Sequence, residues 1–240
     1  MNYSKSSPVK IVIIGAGGTG GYIIPHLYRI AYSSDRPVRI IIADGDVVEK
    51  KNLVRQNFTY CDIGENKAKV MAERYASVFG MQTEYVPEFI EDENRLHDLL
   101  KPTYSNYYSV GNELNILIGA VDNNRSRQMC HKVFYDENDL VYIDSGNGEF
   151  TGQMVCGVRR SGRTVYKPVA GVYPDILADK ELFPTELSCA ERSVSAPQSI
   201  SANLFASTAV VSLLYRLIIL GKLDIKRLTF SSRTLSMKAA

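Results

Sequence analysis

The sequence predicts a doubly wound α/β fold whose sheet is mostly parallel and has an antiparallel C-terminal part. Short apolar runs, at 9–14 and 114–121, are typical of strands buried on both faces. Stretches with apolar residues at helical spacing separate such runs, and this alternation builds a layered sheet. After Asp144 the pattern becomes turn-rich and alternating, which favours antiparallel strands.

The N-terminal elements form one βαβ unit. A strand over 9–14 is followed by a glycine-rich turn, a helix over 22–31 and a second buried strand over 38–43 that ends at Asp44. Pro25 lies in the first turns of this helix, where proline is tolerated best. Such a unit makes its two strands parallel, with a right-handed crossover between them.

The remaining elements continue the alternation. Helices are predicted over 67–79, 91–100 and 124–135, and strands over 83–86, 114–121 and 140–144. Beyond them we expect antiparallel strands over 146–159, an irregular crossover over 161–199, an apolar helix over 198–220 and a last strand over 227–230. Because no linker or repeat divides the chain, one domain over 1–240 is the economical prediction.

The composition excludes several classes of protein. Hydrophobic residues make up 45% and charged residues 22%, an ordinary globular mix that argues against disorder. A net charge of +2 gives no general case for a nucleic-acid or membrane partner. The cysteines, Cys61, Cys130, Cys156 and Cys189, contain no CxxC pair, so neither a structural zinc site of the usual spacing nor a disulfide scaffold is expected.

The N-terminal segment and the most apolar stretch predict no targeting or membrane segment. Residues 1–10 are polar and lack the apolar run of a signal peptide. The most apolar stretch, 203–220, contains Arg216 and is barely long enough to span a bilayer, so a core or interface helix is the better interpretation. We therefore expect a cytoplasmic protein with reduced thiols.

The glycine-rich turn predicts a nucleotide-binding loop. Gly15, Gly17 and Gly20 satisfy GxGxxG between a strand and a helix, where glycines allow a tight turn and close approach to phosphate. Asp44 ends the second strand, and a carboxylate there accepts hydrogen bonds from ribose hydroxyls. The alternative is a packing turn that binds nothing. The motif alone does not separate a dinucleotide from ATP.

The segment after Asp44 favours a mononucleotide. It carries Asn52, Arg55, Gln56 and Lys67, a polar and cationic set where the phosphates would lie. An arginine grips phosphate oxygens bidentately, and a lysine acts as a point charge. Each is also a residue type common on solvated surfaces, but a plain dinucleotide site has no reason to place this set here.

The ordered motifs resemble those of a known family. The pattern D-x-D-x-V-x(3)-N-L-x-R-Q and the following D-x-G-x-x-K span 44–67, after GAGGTGG at 15–21. AVDNNRSR, IDSGNGEFTGQM and LSCAERSVSAPQ follow in order, at 120–127, 143–154 and 187–198. Together they resemble the ThiF, MoeB and ubiquitin-activating (E1-like) enzymes, which have a Rossmann-like fold and activate ubiquitin-like and sulfur-carrier proteins with ATP. A more particular likeness is to the ThiF-family proteins of PRTRC systems.

The resemblance implies ATP-dependent adenylation of the C-terminal carboxylate of a small ubiquitin-fold or sulfur-carrier protein. It implies that Asp44 holds the ribose, supported by Asp46, and that Asp122 holds Mg²⁺. The implied nucleotide-binding set is Gly15, Gly17, Gly18, Gly20, Asp44, Asp46, Asn52, Arg55, Gln56, Lys67 and Asp122. The implied catalytic set is Arg55, Lys67, Asp122 and Cys189.

The chemistry of adenylation agrees with these roles. The attacking carboxylate and the leaving pyrophosphate are both anionic, so positive charge from Arg55, Lys67 and Mg²⁺ would promote the reaction. Asp122 follows a buried strand, at the edge where parallel sheets bind ligands. Its alternative role is to cap the helix that begins near 124.

Cys189 lies in the crossover, where some relatives carry a cysteine that forms a thioester. A nucleophilic thiol must be exposed and have a lowered pKa, and Arg192 lies nearby in sequence, but a free cysteine is more often a small buried hydrophobe. Two features of many relatives are missing from the sequence: paired CxxC zinc ligands and an N-terminal R-Y-x-R-Q-like stretch. Lys5 or Arg29 is a candidate substitute in the homodimer that the resemblance implies.

Three other functions explain part of the pattern. A related branch activates a carboxylate on modified transfer RNA, but near-neutral charge makes nucleic acid an unlikely partner. An NAD-dependent oxidoreductase accounts for Gly15 to Asp44 and leaves Arg55, Lys67 and Asp122 unexplained. A non-catalytic scaffold subunit usually lacks the arginine and lysine that are retained here.

Overall fold

The computed structural model describes residues 1–103, 113–186 and 198–240. Within them the strands are β1 (Val9–Ile14), β2 (Val38–Ala43), β3 (Tyr85–Val86), β4 (Leu114–Gly119), β5 (Leu140–Asn147), β6 (Thr151–Arg160), β7 (Arg163–Tyr166), β8 (Arg227–Ser231) and β9 (Ser236–Ala239). The α-helices are α1 (Gly20–Tyr32), α2 (Lys67–Phe79), α3 (Glu93–Leu100), α4 (Asn124–Asp136), α5 (Val169–Val172), α6 (Asp175–Ala178) and α7 (Ile200–Ile218). Two 3₁₀ turns, Lys50–Val54 and Tyr60–Asp62, lie between β2 and α2.

The nine strands of the described residues form one mixed sheet in the order β3-β2-β1-β4-β5-β6-β8-β9, with β7 paired to β6. The first five strands along this order are parallel, and β6, β7, β8 and β9 pair antiparallel to their neighbours. The predicted fold class is therefore confirmed. Strand β1 pairs with β2 on one side and β4 on the other, which creates the reversal of strand order where α/β sheets bind ligands.

Both faces of the parallel strands are covered by helices. In β1, Ile11 and Ile13 belong to the apolar core that α1, α2 and α7 form with the sheet. Val12 and Ile14 point into the opposite core, which α3 and α4 cover. This arrangement explains why β1 reads as a continuous apolar run and not as an alternating one.

Helix α7 closes the sheet on the α1 side. It packs on α1 and on strands β5, β6 and β8, with Ala206, Val210 and Leu214 fully or almost fully buried. Its length and composition would allow it to cross a membrane, and among the described residues it is the one helix of which this is true. Half of it is buried in the protein, as a core helix requires, so the length test is weak support for a membrane span.

The crossover differs from its prediction in part. The stretch from 161 was expected to be irregular, yet β7, α5 and α6 form within it. Strand β9 was not predicted, because Ser236–Ala239 is only four residues long and is exposed throughout. It exists through pairing with β8, a tertiary contact that local sequence does not encode.

Candidate nucleotide-binding site

Neighbouring backbone leaves no room for a side chain at two positions of the glycine-rich loop. Gly15 has φ of +95°, and a Cβ on it would lie 2.5 Å from the carbonyl oxygen of Ala120. A Cβ on Gly20 would lie 1.9 Å from the carbonyl oxygen of Gly15. Gly17 differs, because the nearest atom to its added Cβ, on Gln56, is 3.7 Å away. Packing within the protein therefore does not require glycine at position 17.

Helix α1 begins directly after this loop, and the amides of Gly21 and Tyr22 in its first turn donate to the carbonyl oxygens of Gly17 and Thr19. Thr19 precedes the helix but makes no side-chain cap, and the first turn holds no acidic residue. The helix dipole and the lack of an acidic side chain in the first turn favour an anion at this end.

Asp44 lies at the end of β2 and is fixed by two backbone amides. Its Oδ2 accepts from the amide of Ala16 at 2.7 Å, and its Oδ1 accepts from the amide of Asp46 at 2.8 Å. Burial raises the pKa of the Asp44 carboxyl, and the charge of Lys67 opposes that rise. A carboxylate has about four acceptor positions, so acceptor capacity remains for ribose hydroxyls.

Lys67 and Asp46 form an ion pair beside Asp44. The Lys67 Nζ lies 2.8 Å from the Asp46 Oδ2, and the lysine side chain is 6% exposed while that of Asp46 is 52% exposed. Asn66 caps α2 and donates to the carbonyl oxygen of Asp44 at 2.8 Å, which holds both segments together. A nearly buried cation thus lies next to the predicted ribose carboxylate.

The 3₁₀ turn after β2 brings Arg55 to the glycine loop. The Arg55 Nη1 donates to the Oε1 of Gln198 at 2.9 Å, and a Cβ on Gly18 would lie 2.9 Å from that same nitrogen. Asn52 is buried, and its Oδ1 accepts from the amide of Glu49 at 2.9 Å, so it holds the turn. The Oε1 of buried Gln56 has no hydrogen-bond partner among the described residues. An unpaired buried oxygen beside the loop fits a site that awaits a polar ligand.

Asp122 follows β4 at the same edge of the sheet. Its side chain is exposed, and no hydrogen bond or ion pair to it occurs within 1–103, 113–186 and 198–240. The predicted alternative, a cap for α4, is performed by Asn123, whose Oδ1 accepts from the amide of Ser126 at 2.7 Å. The described residues contain no group of three or more acidic, histidine or cysteine side chains that would hold a metal. Mg²⁺ needs only one or two carboxylates when phosphates supply other ligands, so Asp122 fits that ion.

A buried ion pair behind Asp122 was missed by the sequence reasoning. The Arg127 Nε lies 3.2 Å from the Asp144 Oδ1, and the two side chains are 10% and 0% exposed. Arg127 also donates to the carbonyl oxygen of Val121 at 2.6 Å, so it fixes the backbone just before Asp122. Burial raises the pKa of Asp144, against the opposing effects of the Arg127 charge and the Tyr142 hydroxyl. The available signal was a carboxylate at a strand end, the same signal that identified Asp44.

Residues 2–239 match the model of the ThiF family. The chain belongs to the ThiF family. No curated protein matches its sequence.

Solved structures share the ThiF fold at low identity. PaaA is 18% identical with a TM-score of 0.65, and the match covers 98% of this chain and 64% of PaaA. E. coli MccB crystallised with ATP is 18% identical with a TM-score of 0.64, covering 97% and 62%. The microcin C7 biosynthetic enzyme MccB in complex with N-formylated MccA is 18% identical with a TM-score of 0.66, covering 97% and 64%. This chain spans somewhat less than two-thirds of the length of these proteins.

The three described cysteines of this ThiF-family chain divide into two buried thiols and one exposed thiol. Cys130 and Cys156 are buried, and burial raises the pKa of each thiol to about 12, which agrees with packing roles. Cys61 is exposed, and nothing in the structure explains it. Cys189 and Arg192 lie outside the described residues, so the nucleophile assignment stays a prediction.

Hydrogen bonds from α4 hold the described part of the crossover in this ThiF-family chain beside Asp122. Asn124 donates its amide to the Oε2 of Glu181 at 2.5 Å, and Gln128 donates to the carbonyl oxygen of Asp179 at 2.8 Å. Of the two candidate N-terminal substitutes, Arg29 lies in the last turn of α1 and donates to Pro25, at the end of the helix away from the loop. Lys5 is exposed.

Proposed function

We propose that this ThiF-family chain uses ATP to adenylate a carboxylate. The observation that carries the proposal is the Arg55 guanidinium against Gly18, in the glycine loop at the N-terminal end of α1. A cation at this loop suits the triphosphate chain of a nucleotide such as ATP. A dinucleotide site needs only the loop and the ribose carboxylate.

The residues of the site divide the work of the reaction. A carboxylate oxygen bonds to the α-phosphorus while the bond to the β-phosphate oxygen breaks, and pyrophosphate leaves with that electron pair. The loop amides and Arg55 bind phosphate oxygens, Asp44 orients the ribose, and the Lys67 charge offsets the negative charge that accumulates. When bound, Mg²⁺ would supply Lewis-acid charge at Asp122.

The substrate class follows from the resemblance of the motifs. We propose the C-terminal carboxylate of a small ubiquitin-fold or sulfur-carrier protein, in a cytoplasmic homodimer in which each chain is one adenylation domain. The structure of MccB in complex with N-formylated MccA supports the proposal that a protein of this fold binds a second molecule as its substrate. A following thioester step would use Cys189, whose thiolate displaces AMP from the acyl adenylate.

The test of adenylation is ATP–pyrophosphate exchange with candidate ubiquitin-fold proteins. We expect exchange in the wild type and a loss of about 100-fold in Arg55→Ala, because one charged donor to the reacting phosphates is removed. Arg95→Ala is the matched control, since Arg95 lies on α3, is exposed and pairs with Glu88. Unchanged exchange in Arg55→Ala would refute the assigned role.

Two further measurements address the remaining alternatives. A thiol-sensitive conjugate that disappears in Cys189→Ala, but not in Cys61→Ala, would establish the thioester step. Saturable enhancement of NADH fluorescence that ATP does not compete away would instead favour the oxidoreductase.

A further inference from the structure

Asn203 is a completely buried amide in a mainly apolar helix. It lies in the first turn of α7, is 0% exposed and has Ala202 and Ala206 as buried neighbours on the same helix. A buried amide without partners costs free energy, so its presence in this core requires polar contacts.

Those contacts connect three segments of the proposed ATP site. The Oδ1 of Asn203 accepts from the Nδ2 of Asn147 at 3.0 Å, at the end of β5. The Oδ1 of Asn147 accepts from the hydroxyl of Thr19 at 3.0 Å, in the glycine loop. The Nδ2 of Asn203 lies 3.5 Å from the carbonyl oxygen of Arg55, a long hydrogen bond.

The space beside Gly18 is shared by Asn203 and Arg55. A Cβ on Gly18 would lie 2.5 Å from the Asn203 Nδ2 and 2.9 Å from the Arg55 Nη1. The amide and the guanidinium therefore pack against the same backbone position. Gln198 accepts from the same Nη1, so α7 and the residues just before it contact both the main chain and the side chain of Arg55.

We infer that Asn203 is a positioning residue that holds Arg55 over the glycine loop before ATP binds. The Asn147–Thr19 chain fixes the Asn203 amide, and that amide fixes the Arg55 backbone, which leaves the guanidinium preorganised for phosphate. This inference rests on the proposed function, because it assumes that Arg55 binds ATP.

A double-mutant cycle on ATP affinity, measured by calorimetry, tests the inference. We expect Asn203→Ala to weaken ATP binding about fivefold to tenfold, the loss of roughly one hydrogen bond. In the Arg55→Ala background the same change should cost less than about twofold, because the effect passes through the guanidinium. Equal losses in both backgrounds would overturn the inference.

Leu213→Val controls for loss of stability in α7. Leu213 is 1% exposed and lies in the same helix, and its truncation lowers stability without a role at the site. ATP affinity should be unchanged in this variant while its melting temperature falls. A loss of ATP affinity matching that of Asn203→Ala would make Asn203 merely structural.

The outcome can be interpreted even if one variant does not fold or the wild type does not bind ATP. If Asn203→Ala does not fold, Asn203→Ser is used in the same cycle, since a smaller polar side chain loses the Arg55 contact and leaves room for water. If wild type binds no ATP, the proposed function fails together with the inference. If wild type binds ATP and Arg55→Ala weakens it, an additive cycle rejects the Asn203 inference alone.

Discussion

The backbone amide of Ala16 donates a hydrogen bond of 2.7 Å to the carboxylate of Asp44. This bond joins the glycine loop to the end of β2, two segments that the ribose and phosphates of one nucleotide would contact together. An ionised carboxylate accepts this bond and the one from Asp46 and keeps further acceptor positions, whereas protonation removes one of them. The protonation state of Asp44 thus affects its bond to the glycine loop and the acceptor positions that remain on the carboxylate.

Acidification should weaken ATP binding, and the loss should begin at a pH above the pKa of an ordinary aspartate, about 3.9. Burial raises the pKa of Asp44 in the folded protein, so protonation, and with it the loss of an acceptor, begins earlier as the pH falls. Because the pKa of Asp44 is raised in the folded protein, its contribution to folding stability is fully present below the pKa that it has in the unfolded chain. That contribution is lost as the pH rises through its pKa in the folded protein. Calorimetric titrations with ATP over a pH series would measure the effect. Asp44→Asn should bind ATP weakly and without this dependence, and an identical pH profile in both proteins would contradict the assignment.

Gly20→Ala should lower the free energy of unfolding by about 1–3 kcal/mol, the usual cost of overpacking. Its added Cβ would lie 1.9 Å from the carbonyl oxygen of Gly15, and backbone there has no room to move away. Gly148→Ala is the matched control, because an added Cβ at that position meets no atom within 4 Å. Urea unfolding of the two variants measures the difference, and equal midpoints would show that the loop is looser than its geometry indicates.

Asp122 and Asn123 should separate in their effects on stability and activity. Asn123→Ala removes the cap of α4 and should cost about 1 kcal/mol of folding free energy. Asp122→Asn should change folding by no more than about 0.5 kcal/mol, because the side chain is exposed. The Mg²⁺ concentration required for pyrophosphate exchange should rise only in Asp122→Asn. A shift of the same size in Asn123→Ala would show that the cap, and not the carboxylate, determines the metal response.

Arg127→Met should destabilise the protein by about 3–5 kcal/mol, since it leaves the fully buried Asp144 carboxylate without its counter-ion. Adding Asp144→Asn should recover a large part of this loss, because the uncompensated charge is removed. Denaturant unfolding of the single and double variants provides the comparison. If the double variant is less stable than the single one, charge pairing is not what Arg127 contributes.

The sequence predicted the parallel half of the fold well because local pattern and burial coincide there. The run 9–14 is apolar at every position except Lys10, and the strand buried on both faces has the predicted bounds, Val9–Ile14. Helix α2 was also predicted with its bounds, since Asn66 caps its start and Gly80 ends it. Strand β9 was missed because its only determinant is a partner strand.

The sequence predicted the candidate site from polar and charged residues at strand ends and in the family motifs. Asp44 was predicted from its place at the end of a strand and Asp122 from the family resemblance. They follow β2 and β4 at the carboxyl edge of the sheet, where Arg55 and Lys67 also lie. Arg127 was missed because its role depends on a contact with Asp144, on the next strand of the sheet. Asn203 was hidden within an apolar run, where only the structure shows which polar groups surround it.

The position of β1 between β2 and β4 has a consequence during synthesis of the chain. Strand β1 meets β2 soon after it leaves the ribosome, but its other edge pairs with residues from Leu114 onward, 100 residues after Ile14. At roughly 5–20 residues per second, that edge of the central strand waits about 5–20 s for its partner. An unpaired apolar edge invites pairing with other chains, so the nascent protein should depend on chaperones over this interval more than the finished protein does.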